Sequence, residues 1–304
     1  MAQAEGTFPL PQRRRIAGVG LGGMRSVRRG AGSDVAGSRP YLPGDDLRTI
    51  DRHASARLSA ALDRDEWIVR QTYADESARV VLVADRRPSM SLFPDGLPWL
   101  RKPAALAAVG ELVVRSAETE SCVAGYLELA ADGEPVWLAP GRAREEQLVE
   151  AAAAREFRAP RDALDQALSY LAVQARLPTG SFVFVVSDFL AGPSDDALGE
   201  ALARRWQLVP VVVQDPRWER SFPDAAGVVL PVADPETGRV RPVRPTRREA
   251  AELRARHERR WAAILGRFEA FGIEPVVLDS HEPAVVLDAL REWADQAALA
   301  GARL

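Results

Sequence analysis

Short apolar runs alternate with longer amphipathic segments from Arg79 to the end of the chain. The runs have the length and β-branched content of buried strands, and they occupy residues 80–84, 122–129, 182–186, 208–213 and 275–278. The segments between and after them are rich in alanine and have helical spacing, at residues 100–117, 143–154, 162–176, 195–205, 246–271 and 283–299. Buried strands that alternate with helices predict an α/β fold with a doubly wound, mostly parallel sheet.

The first part of the chain has a different pattern. Residues 1–76 are rich in glycine, arginine and aspartate, and their only clear periodicity predicts a helix near residues 54–61. We therefore expect an irregular N-terminal segment, 1–76, packed on a main domain of residues 77–304. Two further stretches, 134–138 and 226–243, predict β-hairpin embellishments, the second with its turn at residues 236–238.

Composition excludes several classes of partner. The 304 residues carry a net charge of −3, which gives no overall attraction to nucleic acid or to an anionic membrane. No apolar run approaches the roughly 20 residues of a membrane span. The N-terminal stretch lacks the apolar centre of a signal peptide, so we expect a cytoplasmic protein without membrane insertion.

Acidic side chains follow two of the predicted strands. Asp85 comes directly after the run 80–84, and Asp188 ends the apolar stretch that begins at residue 182. Because ligands bind beyond the carboxyl ends of parallel strands, we expect both acids at one crevice, with Asp162 and Ser89 nearby. Oxygen ligands of this kind suit a hard divalent cation such as Mg²⁺.

This pattern resembles the metal-ion-dependent adhesion site of von Willebrand factor A-type domains. That site has Asp-x-Ser-x-Ser after the first strand, a threonine that opens a later helix, and an aspartate after the fourth strand. Asp85, Ser89 and Asp188 match the pattern, whereas Arg87 stands in the place of the first serine and Asp162 in the place of the threonine. The resemblance implies a Rossmann-type fold that binds a carboxylate of a partner protein through the metal.

Arg87 predicts that the site is degenerate. Its guanidinium can pair with Asp85, Asp162 or Asp188 at hydrogen-bond distance, and it would then repel a cation. Alternatively, Arg87 points to solvent and the site is only weakened. The expected cofactor is therefore none, or weakly bound Mg²⁺.

Residues 39–57, RPYLPGDDLRTIDRHASAR, form a dense motif. They are similar to the signature of a bacterial family known as domain of unknown function fifty-eight, with Arg52 in the place of its tryptophan. The matching positions are Arg39, Tyr41, Pro43, Gly44, Asp45, Asp46, Arg48, Ile50, Asp51, Ser55, Ala56 and Arg57. The resemblance implies a non-enzymatic, von Willebrand factor A-like adaptor that works with a MoxR-type AAA+ ATPase.

Two interpretations of this signature are open. The turn at 43–46 offers carboxylates that can cap the following backbone. Its charges, on Arg39, Asp46, Arg48, Asp51 and Arg57, suffice for a buried ion-pair network that would clasp the N-terminal segment to the sheet domain. We favour the clasp; the alternative is a surface that docks a partner.

A phosphatase or phosphotransferase of the haloacid dehalogenase type is the alternative function. Asp85 would be its nucleophile and Ser187 its second motif. Such enzymes carry a second aspartate where this chain has Arg87, and a lysine after the serine motif, whereas the only lysine, Lys102, precedes Ser187. We therefore expect no lysine, histidine or cysteine at the binding edge, and no enzymatic activity.

Overall fold

The computed structural model describes residues 6–12, 16, 19–30, 35–92, 100–142, 144–153, 156–234 and 239–301. Its strands are β1 (Val19–Arg29), β2 (Val35–Pro40), β3 (Ile68–Ser77), β4 (Arg79–Ala84), β5 (Val123–Leu129), β6 (Pro135–Gly141), β7 (Phe182–Ser187), β8 (Gln207–Val213), β9 (Leu230–Ala233), β10 (Val240–Val243) and β11 (Val276–Leu278). Its α-helices are α1 (Arg52–Leu62), α2 (Lys102–Thr119), α3 (Glu145–Ala153), α4 (Ala163–Val173), α5 (Asp195–Ala203), α6 (Arg247–Ala270) and α7 (Pro283–Gly301).

The main sheet has six strands in the order β11-β8-β7-β4-β5-β6. All neighbouring strands in it are parallel except β5 and β6, so the prediction of a mostly parallel α/β sheet is confirmed. The chain order reverses at β4, which has β5 on one side and β7 on the other. In such sheets the crevice for ligands opens between the carboxyl ends of the two strands at the reversal, here β4 and β7.

Helices cover both faces of this sheet. Val80 and Leu82 of β4 pack into one apolar cluster with residues of α2 and α7. Val81 and Val83 point to the opposite face and pack into a second cluster with residues of α4 and α5. Because both faces are covered, the strands are apolar along their whole length, which is why their sequences were recognisable. None of the helices in the described ranges combines the length and the apolar character of a membrane span.

The prediction of an irregular N-terminal segment is wrong for the part of it that the structure describes. The three strands β1, β3 and β2 form an antiparallel sheet, in that order, and α1 lies against β3. Within β3, Val69 is buried but Arg70 is exposed and the next residues are half-buried, so the strand has no simple apolar alternation. A sheet that is wetted on much of its surface leaves only a weak sequence pattern.

The N-terminal residues also reach the core of the main sheet. Phe8 is buried and its ring makes edge-to-face contacts with Phe184 of β7 and Trp293 of α7, at 6.0 and 6.4 Å between centroids. The chain passes from β3 to β4 between Ser77 and Arg79. The division into segments 1–76 and 77–304 stays a prediction.

The two predicted hairpins have different outcomes. Residues 134–138 lie in and beside β6, which is the antiparallel edge strand of the main sheet rather than an embellishment. The stretch 226–243 forms a separate antiparallel pair, β9 and β10. Its predicted turn at 236–238 lies outside the described residues.

Candidate functional site

The crevice between β4 and β7 holds two buried carboxylates. Asp85 follows β4 and its backbone N–H donates to the Val186 carbonyl at 3.0 Å, which continues the pairing of the two strands by one residue. Asp188 follows β7 and is completely buried, while Asp85 is 1% exposed. Charged groups this deeply buried require partners of opposite charge.

Arg87 is the partner of Asp85. Its Nε lies 2.9 and 3.1 Å from the two carboxylate oxygens, and its Nη2 lies 2.5 Å from Oδ2. Nη2 also donates to the Ser187 hydroxyl at 3.2 Å, and Nη1 donates to the carbonyls of Arg161 and Ala191. A guanidinium has five N–H groups, and all five of Arg87 are engaged.

The hydroxyl of Ser187 completes this arrangement. It donates to Asp85 Oδ2 at 2.6 Å and accepts a hydrogen bond from the backbone N–H of Phe189 at 2.8 Å.

The pairing with Asp85 also affects the pKa of Arg87. Burial lowers the pKa of the Arg87 guanidinium, but the hydrogen bonds with Asp85 and the negative charge of Asp85 raise it by more, so the pKa lies above its ordinary value. The Arg87 guanidinium therefore stays charged.

Arg86 turns to the opposite side of β4. Its Nε lies 2.5 Å from Glu128, and its Nη2 donates to the Tyr126 hydroxyl at 2.8 Å and to the Ala151 carbonyl at 2.6 Å. Its guanidinium also lies 5.0 Å from the ring centroid of Phe157. Arg86 thereby ties the end of α3 to β5, away from the crevice.

Lys102, the first residue of α2, is the partner of Asp188. Its fully buried ammonium lies 2.9 Å from Asp188 Oδ2, 2.5 Å from Glu219 Oε1 and 3.1 Å from the Ser89 carbonyl. These contacts engage all three of its N–H groups. The expectation that the binding edge carries no lysine is therefore wrong.

The charges of this group shift one another's pKa. Burial lowers the pKa of Lys102, but the charges and hydrogen bonds of Asp188 and Glu219 raise it by more, so the pKa lies above its ordinary value. Burial raises the pKa of Asp188, but Lys102 lowers it to below its ordinary value. Burial also raises the pKa of Glu219. Lys102 lowers it by less than burial raises it, so the pKa of Glu219 lies above its ordinary value. The ammonium and the Asp188 carboxylate thus form the core ion pair of the group.

Two predicted members of the site have other positions. Asp162 lies at the start of α4, where its side chain is exposed and makes no capping hydrogen bond. The carbonyl of the preceding residue, Arg161, reaches Arg87 instead. Ser89 is buried in the crevice, but it is its backbone carbonyl that contacts Lys102. The prediction that Asp85, Asp162 and Asp188 converge on one crevice is therefore wrong, because the side chain of Asp162 faces solvent.

The carboxylates of Asp85 and Asp188 have no oxygen left over to bind a divalent cation. Both oxygens of Asp85 already accept hydrogen bonds from Arg87. Asp188 Oδ2 accepts from Lys102, and its Oδ1 accepts the backbone N–H of Leu190 at 3.0 Å. Two fixed positive charges would also repel a metal ion at this short range. Across the described ranges, no three His, Cys, Asp or Glu side chains are grouped to hold a metal ion.

A small cavity opens beside the crevice. Its volume is about 140 Å³, and Arg87, Pro88, Ser89, Arg161 and Leu190 contribute to its walls. Sites for small organic ligands usually measure roughly 300–1,000 Å³. The cavity is therefore large enough for a few water molecules and too small for a typical substrate.

The 39–57 signature lies on the N-terminal sheet, and its acids organise its own backbone. Asp45 makes a bidentate pair with Arg39, with both N–O distances at 2.6 Å, and accepts the Leu42 N–H at 2.8 Å. The hydrogen bonds from Arg39 and the Leu42 backbone lower the pKa of Asp45 to about 2. The backbone N–H of Tyr41 donates to the Trp67 carbonyl at 2.8 Å, which joins the signature to the start of β3.

The next acids cap the two helical turns that follow. Asp46 accepts the Arg48 backbone N–H at 2.9 Å and pairs with its guanidinium. Asp51 accepts the Ala54 N–H at 3.0 Å at the start of α1, which lowers its pKa to about 2, with Arg70 as a second cause. Ser55 is the one buried residue of α1, and it donates to the Asp51 carbonyl at 2.6 Å.

The buried clasp is therefore wrong. The side chains of Arg48 and Asp46 are 90% and 49% exposed, so their pair lies in solvent. Arg57 is exposed, and its guanidinium contacts the His53 carbonyl of its own helix at 3.4 Å. The physical reason is local. Aspartates in turns accept hydrogen bonds from backbone N–H groups two or three residues ahead, and these bonds need no contact with a distant cation.

Comparison with known families agrees with the signature. The model of the family described as "Protein of unknown function DUF58" matches residues 37–263. The chain belongs to this family. Among similar proteins are uncharacterized proteins of Mycobacterium bovis and Mycobacterium tuberculosis, each 29% identical over 244 residues, which are 79% of this chain and 73% of the relative.

Solved structures give a weaker likeness. The conserved hypothetical protein BatB of Bacteroides thetaiotaomicron aligns with 75% of this chain and 100% of its own, at 14% identity and a TM-score of 0.38. An aerotolerance-related membrane protein of Bacteroides fragilis aligns with 72% of this chain and 100% of its own, at 14% identity and a TM-score of 0.36. Likeness at this level says nothing about a shared function.

Proposed function

We propose that this protein is a non-enzymatic adaptor of the von Willebrand factor A-like type, which binds a MoxR-type AAA+ ATPase in the cytoplasm without the help of a metal ion. The observation that carries the proposal is the occupancy of the crevice by Arg87 and Lys102. Every N–H group of these two side chains is engaged by carboxylates, carbonyls or a hydroxyl of the same chain. A site filled in this way supports a structural role better than a catalytic one.

The ATPase as partner is taken from the resemblance of the 39–57 signature. Adhesion-type domains bind a partner's carboxylate through a metal ion. The pairing of Arg87 with Asp85 and of Lys102 with Asp188 supports the proposal that two side-chain cations here replace that ion. We therefore propose that the crevice is a degenerate adhesion site. It stabilises the edge of the sheet, and the partner binds to another surface.

The same observation disfavours the phosphatase alternative. A nucleophilic aspartate needs an oxygen that is free to attack phosphorus. Both oxygens of Asp85 accept hydrogen bonds from Arg87, and Oδ2 also accepts one from Ser187. The cavity beside it is also too small for a typical substrate.

Binding of the two purified proteins tests the proposal. The protein and the MoxR-type ATPase encoded nearest its gene are mixed with ATP, and the complex is measured by sedimentation velocity with and without EDTA added to the adaptor beforehand. We expect a complex whose affinity does not depend on this treatment. Absence of a complex would refute the partnership. Hydrolysis of a phosphate ester that disappears in Asp85→Asn would refute the non-enzymatic role.

A further inference from the structure

A second cavity lies at the opposite edge of the main sheet from the crevice. It opens where β5 begins and β6 ends, between the end of α2 and the start of α3, and its volume is about 290 Å³. The cavity beside the crevice measures about 140 Å³. Sites for small organic ligands start at roughly 300 Å³, so the second cavity has the size of a site for a small molecule.

The floor of this cavity is apolar. It consists of Val114 in α2, Cys122 just before β5, Ala124 in β5 and Leu148 in α3, and all four side chains are buried. Burial raises the pKa of the Cys122 thiol to about 12, so the thiol is neutral and adds to the apolar lining. A ligand that fills the cavity therefore needs an apolar body.

A guanidinium is fixed on one wall. Arg144 directly precedes α3, and its Nη1 donates to the Ala139 carbonyl of β6 at 2.8 Å. Gly141 makes this position possible, because a Cβ atom there would lie 3.0 Å from Arg144 Nε. Among the residues that the structure describes, no carboxylate pairs with Arg144. Most N–H groups of this guanidinium can therefore donate to an anionic group in the cavity.

Two carboxyl groups line the same cavity. Glu118 lies in the last turn of α2, and Glu145 is the first residue of α3. Burial, the charge of Glu145 and a hydrogen bond between the two side chains raise the pKa of Glu118. Arg115 lies 3.6 Å from Glu145, whereas no cation in the described ranges pairs with Glu118. An ammonium group beside the two side chains would relieve their repulsion, because it can donate to both carboxylates.

The two walls hold their charges apart. Arg144 is fixed by β6, and Glu118 by the end of α2, where the Ser121 N–H donates to the Glu118 carbonyl at 2.9 Å. Within the described part of the chain no ion pair joins Arg144 to Glu118, although both line one cavity. A ligand with a single charge would meet a group of its own sign on one wall. A ligand with both charges can pair with both walls.

We propose that this cavity binds a small zwitterion with an apolar body, of the class of α-amino acids with aliphatic side chains. The ligand's carboxylate pairs with Arg144 and its ammonium group with Glu118 and Glu145. Its aliphatic part packs on Val114 and Leu148. The inference goes beyond the proposed adaptor function and does not rest on it, because the cavity lies at the other edge of the sheet from the crevice.

Three ligands of closely similar shape test which charges the site recognises. L-Leucine carries both charges, 4-methylpentanoate lacks the ammonium group, and 3-methylbutylamine lacks the carboxylate. Calorimetric titration of each into the full chain at pH 7 measures the affinities. We expect saturable binding of leucine and binding of each analogue that is roughly tenfold weaker or more. No binding of leucine at millimolar concentrations, or an analogue that binds as tightly as leucine, would overturn the proposal.

Variants of the full chain assign each charge of the ligand to its wall. Arg144→Met should weaken leucine binding roughly tenfold or more and leave binding of 3-methylbutylamine unchanged. Glu118→Gln should weaken leucine binding as well and leave binding of 4-methylpentanoate unchanged. Arg158→Met and Glu156→Gln are the matched controls, since their side chains are 76% and 73% exposed and neither lines the cavity.

The controls should bind leucine like the wild type. Arg144→Met that weakens leucine and 3-methylbutylamine equally would overturn the proposal, and so would an equal loss in the controls. If a cavity variant does not fold, the three ligands with the unmodified protein still decide.

Discussion

The ammonium of Lys102 lies 2.9 Å from the carboxylate of Asp188, and neither side chain is exposed to solvent. Lys102 is the first residue of α2, and Asp188 directly follows β7. The pair therefore joins the start of α2 to the carboxyl end of β7. Together with the pair of Arg87 and Asp85, it fills the place where folds of this class bind ligands.

Removal of this lysine should be costly. In Lys102→Met the carboxylates of Asp188 and Glu219 are left buried without their cation, and we expect a loss of roughly 3–5 kcal/mol in the free energy of unfolding. Urea denaturation at pH 7 measures it. The control is Arg115→Met, because Arg115 pairs with Glu111 on the exposed side of α2 and such pairs contribute about 0.5 kcal/mol or less. Equal effects of the two changes would contradict the assignment.

The pH dependence of stability should change in a defined direction. In the wild type the pKa of Asp188 is lowered from 3.8, so its contribution is present at neutral pH and is lost as the pH falls through its folded pKa. Without Lys102, burial raises the pKa of both carboxylates, and the folded state then binds more protons than the unfolded state. Lys102→Met should therefore lose more stability at pH 8 than at pH 5. Urea midpoints at the two pH values measure this, and a loss that is larger at pH 5 would be inconsistent with it.

Arg86 should be as important as the crevice pairs, although it lies on the other side of β4. Arg86→Met removes the cation from half-buried Glu128 and the donor from Tyr126. We expect a loss of roughly 3–5 kcal/mol, and the double change Arg86→Met with Glu128→Gln should recover part of it. Urea denaturation of the two variants provides the comparison, and a double variant less stable than the single one would argue against a paired charge.

The exposed charges of the 39–57 signature should matter little for stability. Arg57→Ala changes a side chain that lies in solvent, so we expect the melting temperature of the wild type. Asp46→Ala also removes the cap of the turn Leu47–Thr49, so we expect a small fall that corresponds to about 1 kcal/mol, well below the loss of a buried ion pair. Scanning calorimetry measures both. A large fall in either variant would restore the buried clasp.

Much of the main sheet could be predicted from the sequence, and the reason is burial. Strands such as β4 and β7 are covered on both faces, so they read as continuous apolar runs, and their positions in the chain imply the crevice with Asp85 and Asp188. The N-terminal sheet could not be recognised in this way. In β3 the exposed Arg70 follows the buried Val69, and the register of β1 on β3 is irregular.

The role of Lys102 was missed for a topological reason. It is 17 positions away from Asp85, and no short motif links it to Asp188. A signal was nevertheless present, because the helix after a parallel strand starts at the carboxyl edge of the sheet, and Lys102 is the first residue of that helix. The exposure of Asp162 could not be predicted, since a residue before a helix can face either the crevice or solvent.

Calorimetric titration of Mg²⁺ and Mn²⁺ into the unmodified protein tests most directly the central claim, that Arg87 and Lys102 occupy the place of a divalent ion. We predict no binding at millimolar concentrations, and the same null result for Asp188→Asn. Replacing the cations in Arg87→Ser with Lys102→Ala should create metal affinity in the protein that remains folded, with a stabilisation of about 2.7 kcal/mol at a hundredfold excess over the dissociation constant. Tight metal binding by the wild type that Asp188→Asn abolishes would contradict the claim.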